Sequence, residues 1–450
     1  MTLVMKFGGT SLADADTIRA SADLVRRFGQ ERRVVTVVSA MAGVTDKLIE
    51  LAQTASRGAR ARSLALLADL HERHDAAARQ LGAGEPVSAL LGQLDALITG
   101  VAAVGELTPR SSDAVVSFGE RLSAALLAAA LGGQALTGAE AGIVTDDNHT
   151  QADPLMKLSL YQARETLAPR LERGERLVVT GFLGATQHGV TTTIGRGGSD
   201  YTATILGAAL PADEIWIWSD VDGLMSADPR VAPAAHLLER VSFAEAIEMG
   251  QFGAKSMHPR ALEPAAEHRI PIRMRSTFHP DCPGTLVTDD APAGGVARCV
   301  LRLRGSALIS FTGAAMIGRP GTAGRIFGAL AEAGVNVQVI TQSVSEAGIT
   351  VVAPAEQVER AAPELERRLI GPGVVRHIDI DRQVDVVALV GAGMAGTPGV
   401  AARVFQAVAA EGINVMAIAQ GSSELSICFV VRADASPQAV RCLHREFKLG

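Results

Sequence analysis

The stretch Leu308-Ile-Ser-Phe-Thr-Gly-Ala-Ala-Met-Ile-Gly-Arg-Pro-Gly321 returns 78 residues later as Val386-Val-Ala-Leu-Val-Gly-Ala-Gly-Met-Ala-Gly-Thr-Pro-Gly399. At the same offset Phe327 matches Phe405, Gly334-Val-Asn-Val matches Gly412-Ile-Asn-Val, Gln342 matches Gln420 and Glu346 matches Glu424. A repeat constrains a fold more than a single motif does, because each copy must be one supersecondary unit with an apolar face to bury. Each copy reads as strand, Gly/Pro loop, helix, strand, strand, helix, the order of a small α+β module. Two copies are too few for a solenoid, so the C-terminal third is expected to hold two modules that pair.

The remaining two-thirds has a different rhythm. Leu3–Phe7 and Arg33–Ser39 are β-rich runs flanking an amphipathic stretch, Thr17–Phe28, and further runs lie at Leu177–Thr180, Thr191–Ile194, Glu214–Trp218 and Ile270–Met274. From about 46 to 135 the chain is Ala/Leu/Arg-rich with a helical period. Strands alternating with helices predict an α/β domain whose mostly parallel sheet lies between helical layers. Asp289-Asp-Ala-Pro-Ala-Gly-Gly295 reads as the start of a linker. The expected division is a large domain over 1–290, a linker over 291–306, and modules over 307–382 and 383–450.

Several classes of function are set aside at this point. A net charge of −6 and 4% aromatics give no basic stripe or stacking platform for nucleic acid, and no basic face for an anionic membrane. Met1 to Lys6 has no signal-peptide organisation, and Leu122–Leu131 is too short to span a bilayer. Cytoplasmic location is the expectation. Cysteines 282, 299, 428 and 442 lack metal-ligand spacing, and His71 and His74, three residues apart, read as a solvated helix face; no protein-held metal is expected. Trp216 and Trp218 alternate along a strand and read as packing residues. Gly391-Ala-Gly-Met-Ala-Gly396 spells a dinucleotide fingerprint. The other repeat has Ala315 at its second glycine, however, and too little chain follows for a nucleotide domain.

Three glycine-containing loops carry the chemistry. Lys6-Phe-Gly-Gly-Thr-Ser11 ends the opening strand, and its paired glycines would let amides approach phosphate oxygens beside a lysine charge. Gly195-Arg-Gly-Gly-Ser-Asp200 brings a cation, a hydroxyl and an anion within a few residues. Ser39-Ala-Met-Ala-Gly-Val-Thr45 supplies two hydroxyls after the second strand. In an open α/β sheet such loops converge beyond the carboxyl ends of the strands.

Together with Ser117-Phe-Gly-Glu120, Ser219-Asp-Val-Asp-Gly223, Asp228-Pro-Arg230 and Phe252-Gly-Ala-Lys255, these loops resemble the motif series of the aspartate kinase family, in order over about 1–290. The repeats resemble the paired ACT regulatory modules that follow that kinase domain. The resemblance implies the amino-acid kinase fold and transfer of a phosphoryl group from Mg-ATP to L-aspartate, with Mg²⁺ held mainly by the ATP phosphates. It implies that Lys6 and the Gly8 and Gly9 amides, with Phe7 beside them, hold phosphates while Asp200 orients the Lys6 ammonium. It assigns Arg196 and Ser199 to the substrate α-carboxylate, Glu120 to its α-ammonium, and Ser39 and Thr45 to the reacting end. Ser219, Asp220, Met225, Arg230 and Lys255 correspond to the nucleotide set, Met225 standing where relatives often carry tyrosine. A carboxylate acceptor is already ionised at neutral pH, so the reaction requires no general base.

The modules imply an amino-acid effector and a homo-oligomer. The effector residues so implied are Asn336, Val337 and Gln342 in the first copy, with Asn414, Val415 and Gln420 in the second. Gln-x-x-Ser-Glu in both copies resembles threonine-sensing relatives, with lysine the alternative effector. Competing readings are a kinase for glutamate, acetylglutamate, carbamate or a nucleotide, and an inactive amino-acid sensor. The chain stops at Gly450 after the second repeat, so it is expected to lack the dehydrogenase half of bifunctional relatives.

Overall fold

Thr2–Phe7 is apolar at every position but Thr2 and Lys6, which suits a strand covered on both faces. It is β1, in the interior of an eight-stranded sheet. The strands of this first part are β1, then Arg33–Val38 (β2), Gln134–Leu136 (β3), Val144–Thr145 (β4), Leu177–Thr180 (β5), Leu183–Thr186 (β6), Thr191–Thr193 (β7), Glu214–Ser219 (β8), Arg240–Val241 (β9), Ile272–Ser276 (β10) and Thr285–Val287 (β11). In the computed structural model of the chain, all residues are described except 254–256, 291–294, 343–346 and 422. The large sheet runs β3-β5-β2-β1-β8-β10-β11-β9, parallel from β3 to β10, with β11 antiparallel to β10. The strands β4, β6 and β7 form a separate small sheet.

Parallel pairing needs crossover helices. Ala15–Phe28 returns the chain from β1 to β2, and its start is fixed by a reciprocal cap: Asp14 accepts from the Thr17 N–H while the Thr17 hydroxyl accepts from the Asp14 N–H. Between β2 and β3 the chain runs through a group of helices that completes one apolar core with the sheet. Gly84–Val104 and the run Pro109–Leu131 are long and apolar enough to cross a membrane by length and composition alone. In the fold, Val87, Leu91, Leu94, Ile98 and Val101 place their three- and four-residue spacing against that core. His74 corrects the solvated-face expectation. It is fully buried, its Nδ1 2.7 Å from the Leu70 carbonyl, while His71 Nε2 lies 2.8 Å from Asp95.

The chain divides into two units, Met1–Leu224 with Glu239–Ile247 and Lys255–Ala291, and Met225–Leu238 with Glu248–Ala254 and Pro292–Gly450. The expected boundary at 290 is therefore incomplete. Met225–Leu238 joins the second unit because Ala227 and Ala232 enter its core, and the Ser226 hydroxyl donates to the Leu449 carbonyl at 2.9 Å. The expected linker over 291–306 is also shortened, since β12 begins at Cys299 and continues to Thr312.

The repeats form one six-stranded sheet in the second unit. With Val339–Gln342 (β13), Gly348–Pro354 (β14), His377–Val390 (β15), Ala417–Gln420 (β16) and Ser426–Arg432 (β17), its order is β13-β14-β12-β15-β17-β16. The two long strands β12 and β15 pair antiparallel at its centre, with the register shifting around Ser306. The expected module boundary at 382/383 falls inside β15, because the strand that opens the second copy also closes against the first. Helices Thr322–Glu332 and Ala355–Leu365 cover the first copy, and Val400–Ala410 and Ser436–Glu446 the second. The dinucleotide-like glycines have a packing purpose. A Cβ at Gly391 would lie 2.7 Å from the Ala297 Cα, and one at Gly393 2.7 Å from the Gly295 carbonyl.

Candidate active site

The carboxyl ends of β1, β2 and β5 and the chain after β7 open onto one cleft of about 220 Å³. Its walls carry Lys6, Ser39, Thr45, Arg196, Ser199 and Asp200, with Phe182 and the glycines at 195, 197 and 198. Residues far apart in the chain meet because β1 has neighbours on both sides, β2 and β8. Strands leaving such a position in opposite directions leave a crevice above it.

Each loop is shaped for close approach. A Cβ on Gly9 would sit 2.8 Å from the Ala40 carbonyl, so the Lys6 and Ser39 loops touch through backbone. The Gly8 N–H donates to the Trp218 carbonyl at 3.0 Å, and Phe7 stacks on the Trp218 ring at 6.0 Å. Gly8 thus ties β1 to β8, which departs from the expectation that its amide holds phosphate. In the third loop Gly195 and Gly197 have φ of +72° and +74°, a region that side chains avoid. Gly197 ends in the N-cap of helix Gly198–Ala209, whose first turn presents Ser199 and Asp200. Thr45 similarly lies in the first turn of Val44–Ser56. Two helix N-termini therefore face the cleft, each bringing partial positive charge and unpaired amides.

The charges are paired across loops. Lys6 Nζ is 2.6 Å from Asp200 Oδ1, in contact without hydrogen-bond alignment, and Lys6 is mostly buried. Glu120 is 3% exposed and is not among the residues that wall the cleft; its Oε1 accepts the N–H of Ala40, the residue after Ser39, at 3.1 Å. Its Oε2 is buried and has no hydrogen-bond partner among the described residues, and burial pushes the Glu120 pKa up to about 8. A buried acid with an oxygen left open is costly unless a partner arrives. Arg196 is exposed at the rim.

The expected nucleotide set is only partly in this unit. Ser219 ends β8 and Asp220 follows it, whereas Met225 and Arg230 belong to the second unit and Lys255 lies outside the described residues. Met225 forms a bridge with Leu237, and the Arg230 guanidinium binds Asp228 at 2.8 and 3.0 Å. Phe182 was not expected. It holds a left-handed φ of +65°, its N–H donates to the Thr202 hydroxyl at 3.1 Å, and a Cβ on Gly198 would strike its ring at 2.7 Å. The only hint in the chain is its place just after a strand-ending Thr-Gly. His258 packs on Gly197 and accepts the Arg260 N–H at 3.3 Å.

The second unit has a pocket of about 290 Å³, walled by the loop Gly318–Thr322 with Met316, Ala323, Gln342 and Ile349. Gln342 is the one residue of the expected effector set on its walls. The Asn336 N–H instead donates to Gln357 Oε1 at 2.8 Å, and Val337 packs toward the first repeat's core. The second copy differs. There the Gly396 N–H of the matching loop donates to Glu424 Oε2 at 2.7 Å, Val415 packs on that copy's core, and Asn414 and Gln420 are exposed.

Residues 1–276 match the amino acid kinase family, and 309–369 and 387–447 match an ACT domain. The chain is 32% identical over 466 residues to aspartokinase 3, chloroplastic, of Arabidopsis thaliana, covering 99% of this chain and 82% of that protein. The chain belongs to the aspartokinase branch of the amino acid kinase family. It is 36% identical over 473 residues to bifunctional aspartokinase/homoserine dehydrogenase 1, chloroplastic, of Zea mays, covering all of this chain and 50% of that one. It thus spans about half the length of such bifunctional relatives. Among solved structures, E. coli aspartokinase III with aspartate and ADP (R-state) superposes with a TM-score of 0.84 at 30% identity, covering 100% of both chains. The same enzyme with lysine and aspartate (T-state) gives 0.84 at 31%, covering 99% of both.

Proposed function

We propose that this aspartokinase-family chain transfers the γ-phosphoryl group of Mg-ATP to the β-carboxylate of L-aspartate, giving 4-phospho-L-aspartate. The observation that carries this reading is the cleft itself, where the Lys6–Asp200 pair lies among Ser39, Thr45, Arg196 and Ser199. The Glu120 carboxyl, with one oxygen open among the described residues, is tied to the backbone of Ala40, next to Ser39. A solved relative in complex with aspartate and ADP supports it.

The acceptor needs no deprotonation, so the protein's task is alignment and charge neutralisation. Arg196 and Ser199 take the α-carboxylate and Glu120 the α-ammonium, which leaves the β-carboxylate facing Lys6. Lys6, fixed by Asp200, neutralises charge on the transferring group. The amide role falls to Gly9, since Gly8 is committed to Trp218. Ser219 and Asp220 are our assignment for the nucleotide within the first unit. Mg²⁺ enters on the ATP phosphates, as part of that substrate. A coupled ADP-release assay with aspartate, glutamate, acetylglutamate and no acceptor tests the reading. Turnover dependent on aspartate supports it, and equal or higher turnover on another acceptor overturns it.

We further infer feedback control by an amino-acid end product of the lysine, threonine and methionine pathways, read by the pocket at Gln342. Support comes from the relative that binds lysine and from the threonine-like Gln-x-x-Ser-Glu signature. An effector must favour one conformational state over another, typically by a 5–150-fold effect on affinity. Gln342→Ala is expected to relieve inhibition by threonine or lysine, tested singly and together, with uninhibited kcat unchanged. Unaltered activity and melting temperature of the wild-type protein with either amino acid would discard this regulatory role. We also take the enzyme to be a cytoplasmic homo-oligomer. Four cysteines outside any disulfide suit a reducing compartment, and Ile340 and Ile418, matched across the repeat, stand exposed on the end strands β13 and β16.

A further inference from the structure

Asp113 is 1% exposed, and its carboxylate is held by a hydroxyl, a backbone N–H and an imidazole. It sits in helix Pro109–Val116, whose path continues through Ser117 into Phe118–Leu131. Asp113, Ser117 and Glu120 are four and three residues apart, so they share one face of this helical run. All three are nearly fully buried, at 1%, 2% and 3% exposure. A buried polar stripe on a helix needs partners supplied from elsewhere in the fold.

The partners of Asp113 are specific. Its Oδ1 accepts the Thr193 hydroxyl at 2.6 Å, its two oxygens accept the Thr150 N–H at 3.1 and 3.0 Å, and its Oδ2 lies 2.7 Å from His149 Nδ1. Thr193 ends β7, three residues before Arg196. Thr150 holds φ of +74°, a conformation costly for a β-branched residue unless its surroundings enforce it. The loop carrying it lies against the arginine loop: Ala152 N–H donates to the Thr193 carbonyl at 2.9 Å, and a Cβ on Gly195 would lie 3.8 Å from the Gln151 Cα.

One helical run therefore carries the group assigned to the α-ammonium and, two turns earlier, the anchor of the strand end that leads to the group assigned to the α-carboxylate. We propose that Asp113 is a positioning residue for the acceptor, setting the spacing between Glu120 and Arg196. The proposal rests on the aspartate reading above. Asp113 touches no reacting atom; it acts through the Thr193 end of β7 and the Thr150 backbone.

Asp113→Asn keeps the shape but turns an amide N–H₂ toward groups that donate. It is expected to raise the KM for aspartate by about 10- to 100-fold, as for lost hydrogen bonds to a charged group. The KM for ATP should stay within about twofold. Thr193→Val should act in the same direction more weakly, and Thr193→Ser, which keeps the hydroxyl, should behave as wild type. A second readout needs no substrate: tryptic cleavage after Arg196, followed by mass spectrometry, should be faster in Asp113→Asn and Thr193→Val. Unchanged aspartate KM and unchanged cleavage in both variants overturn the proposal. So does a parallel rise of both KM values with a lowered melting temperature, which is what a merely structural role predicts. If cleavage accelerates but the wild-type enzyme leaves aspartate unphosphorylated, the acceptor reading fails and takes the recognition role with it, while the anchor stands.

Discussion

Lys6→Ala is expected to lower kcat by about 100- to 1000-fold, the range for removing one preorganised electrostatic donor. Lys6 Nζ is held 2.6 Å from Asp200 in a mostly buried position, so its charge is in place before the substrates arrive. A charge that acts on the phosphoryl group in flight contributes mainly to the transition state. The KM for aspartate should therefore change little. The variant also leaves Asp200 as an unpaired anion facing incoming phosphate. Lys6→Met combined with Asp200→Asn should for that reason lose less than the two single effects added, because the residues act as a pair. Steady-state kinetics with both substrates varied would check this. A Lys6→Ala enzyme with near-normal kcat would remove Lys6 from the chemistry.

Aspartate affinity should rise steeply with pH and level off near pH 8. Burial holds the Glu120 carboxyl protonated up to about pH 8, whereas pairing with an ammonium requires the carboxylate. Below pH 8, binding must release a proton, so the apparent Kd should weaken about tenfold per unit, or roughly 100-fold at pH 6. Glu120→Gln should bind aspartate weakly with a flat pH profile and keep its ATP affinity. The same residue sets a stability trend of known sign. Its folded pKa lies above the ordinary carboxylate value near 4.3, so the native state binds more protons than the unfolded chain between the two values. Stability of the free enzyme is consequently lost as pH rises from about 4.3 to 8, and at pH 9 Glu120→Gln should melt above wild type. Calorimetric titrations and melting curves read both effects. A wild-type aspartate affinity that is level from pH 6 to 9 would release Glu120 from the ammonium role.

The repeat, the three glycine-bearing loops and the alternation of strands and helices were legible because each is a local pattern. Period, glycine placement and turn chemistry act over a few residues. They were enough to indicate a mostly parallel sheet, two paired modules, and a cleft at Lys6, Ser39 and Arg196. Other features were decided elsewhere. Nothing local distinguishes His74 from a solvent-facing histidine; its burial depends on which side of its helix the neighbouring helices cover. Met225–Leu238 follows the β8 loop in the chain, yet Ala227 and Ala232 pack into the second unit's core. Small apolar residues carry no label for the core they will join. The Gly8 pair looked like a phosphate cradle, but the Trp218 carbonyl of the neighbouring strand takes its amide.

The buried carboxyls show the division most clearly. The chain places Asp113 and Glu120 seven residues apart on a helical run, and from that spacing alone they share a face. Only the tertiary structure gives them different environments. Asp113 meets the Thr193 hydroxyl, the Thr150 amide and His149, whereas Glu120 accepts the Ala40 N–H and, among the described residues, keeps one oxygen open. Sequence determines which groups are available and how they are spaced along an element. Whether a buried group is satisfied or left waiting for a ligand depends on strands and loops distant in the chain, because desolvation and hydrogen bonding are set by whatever packs against it.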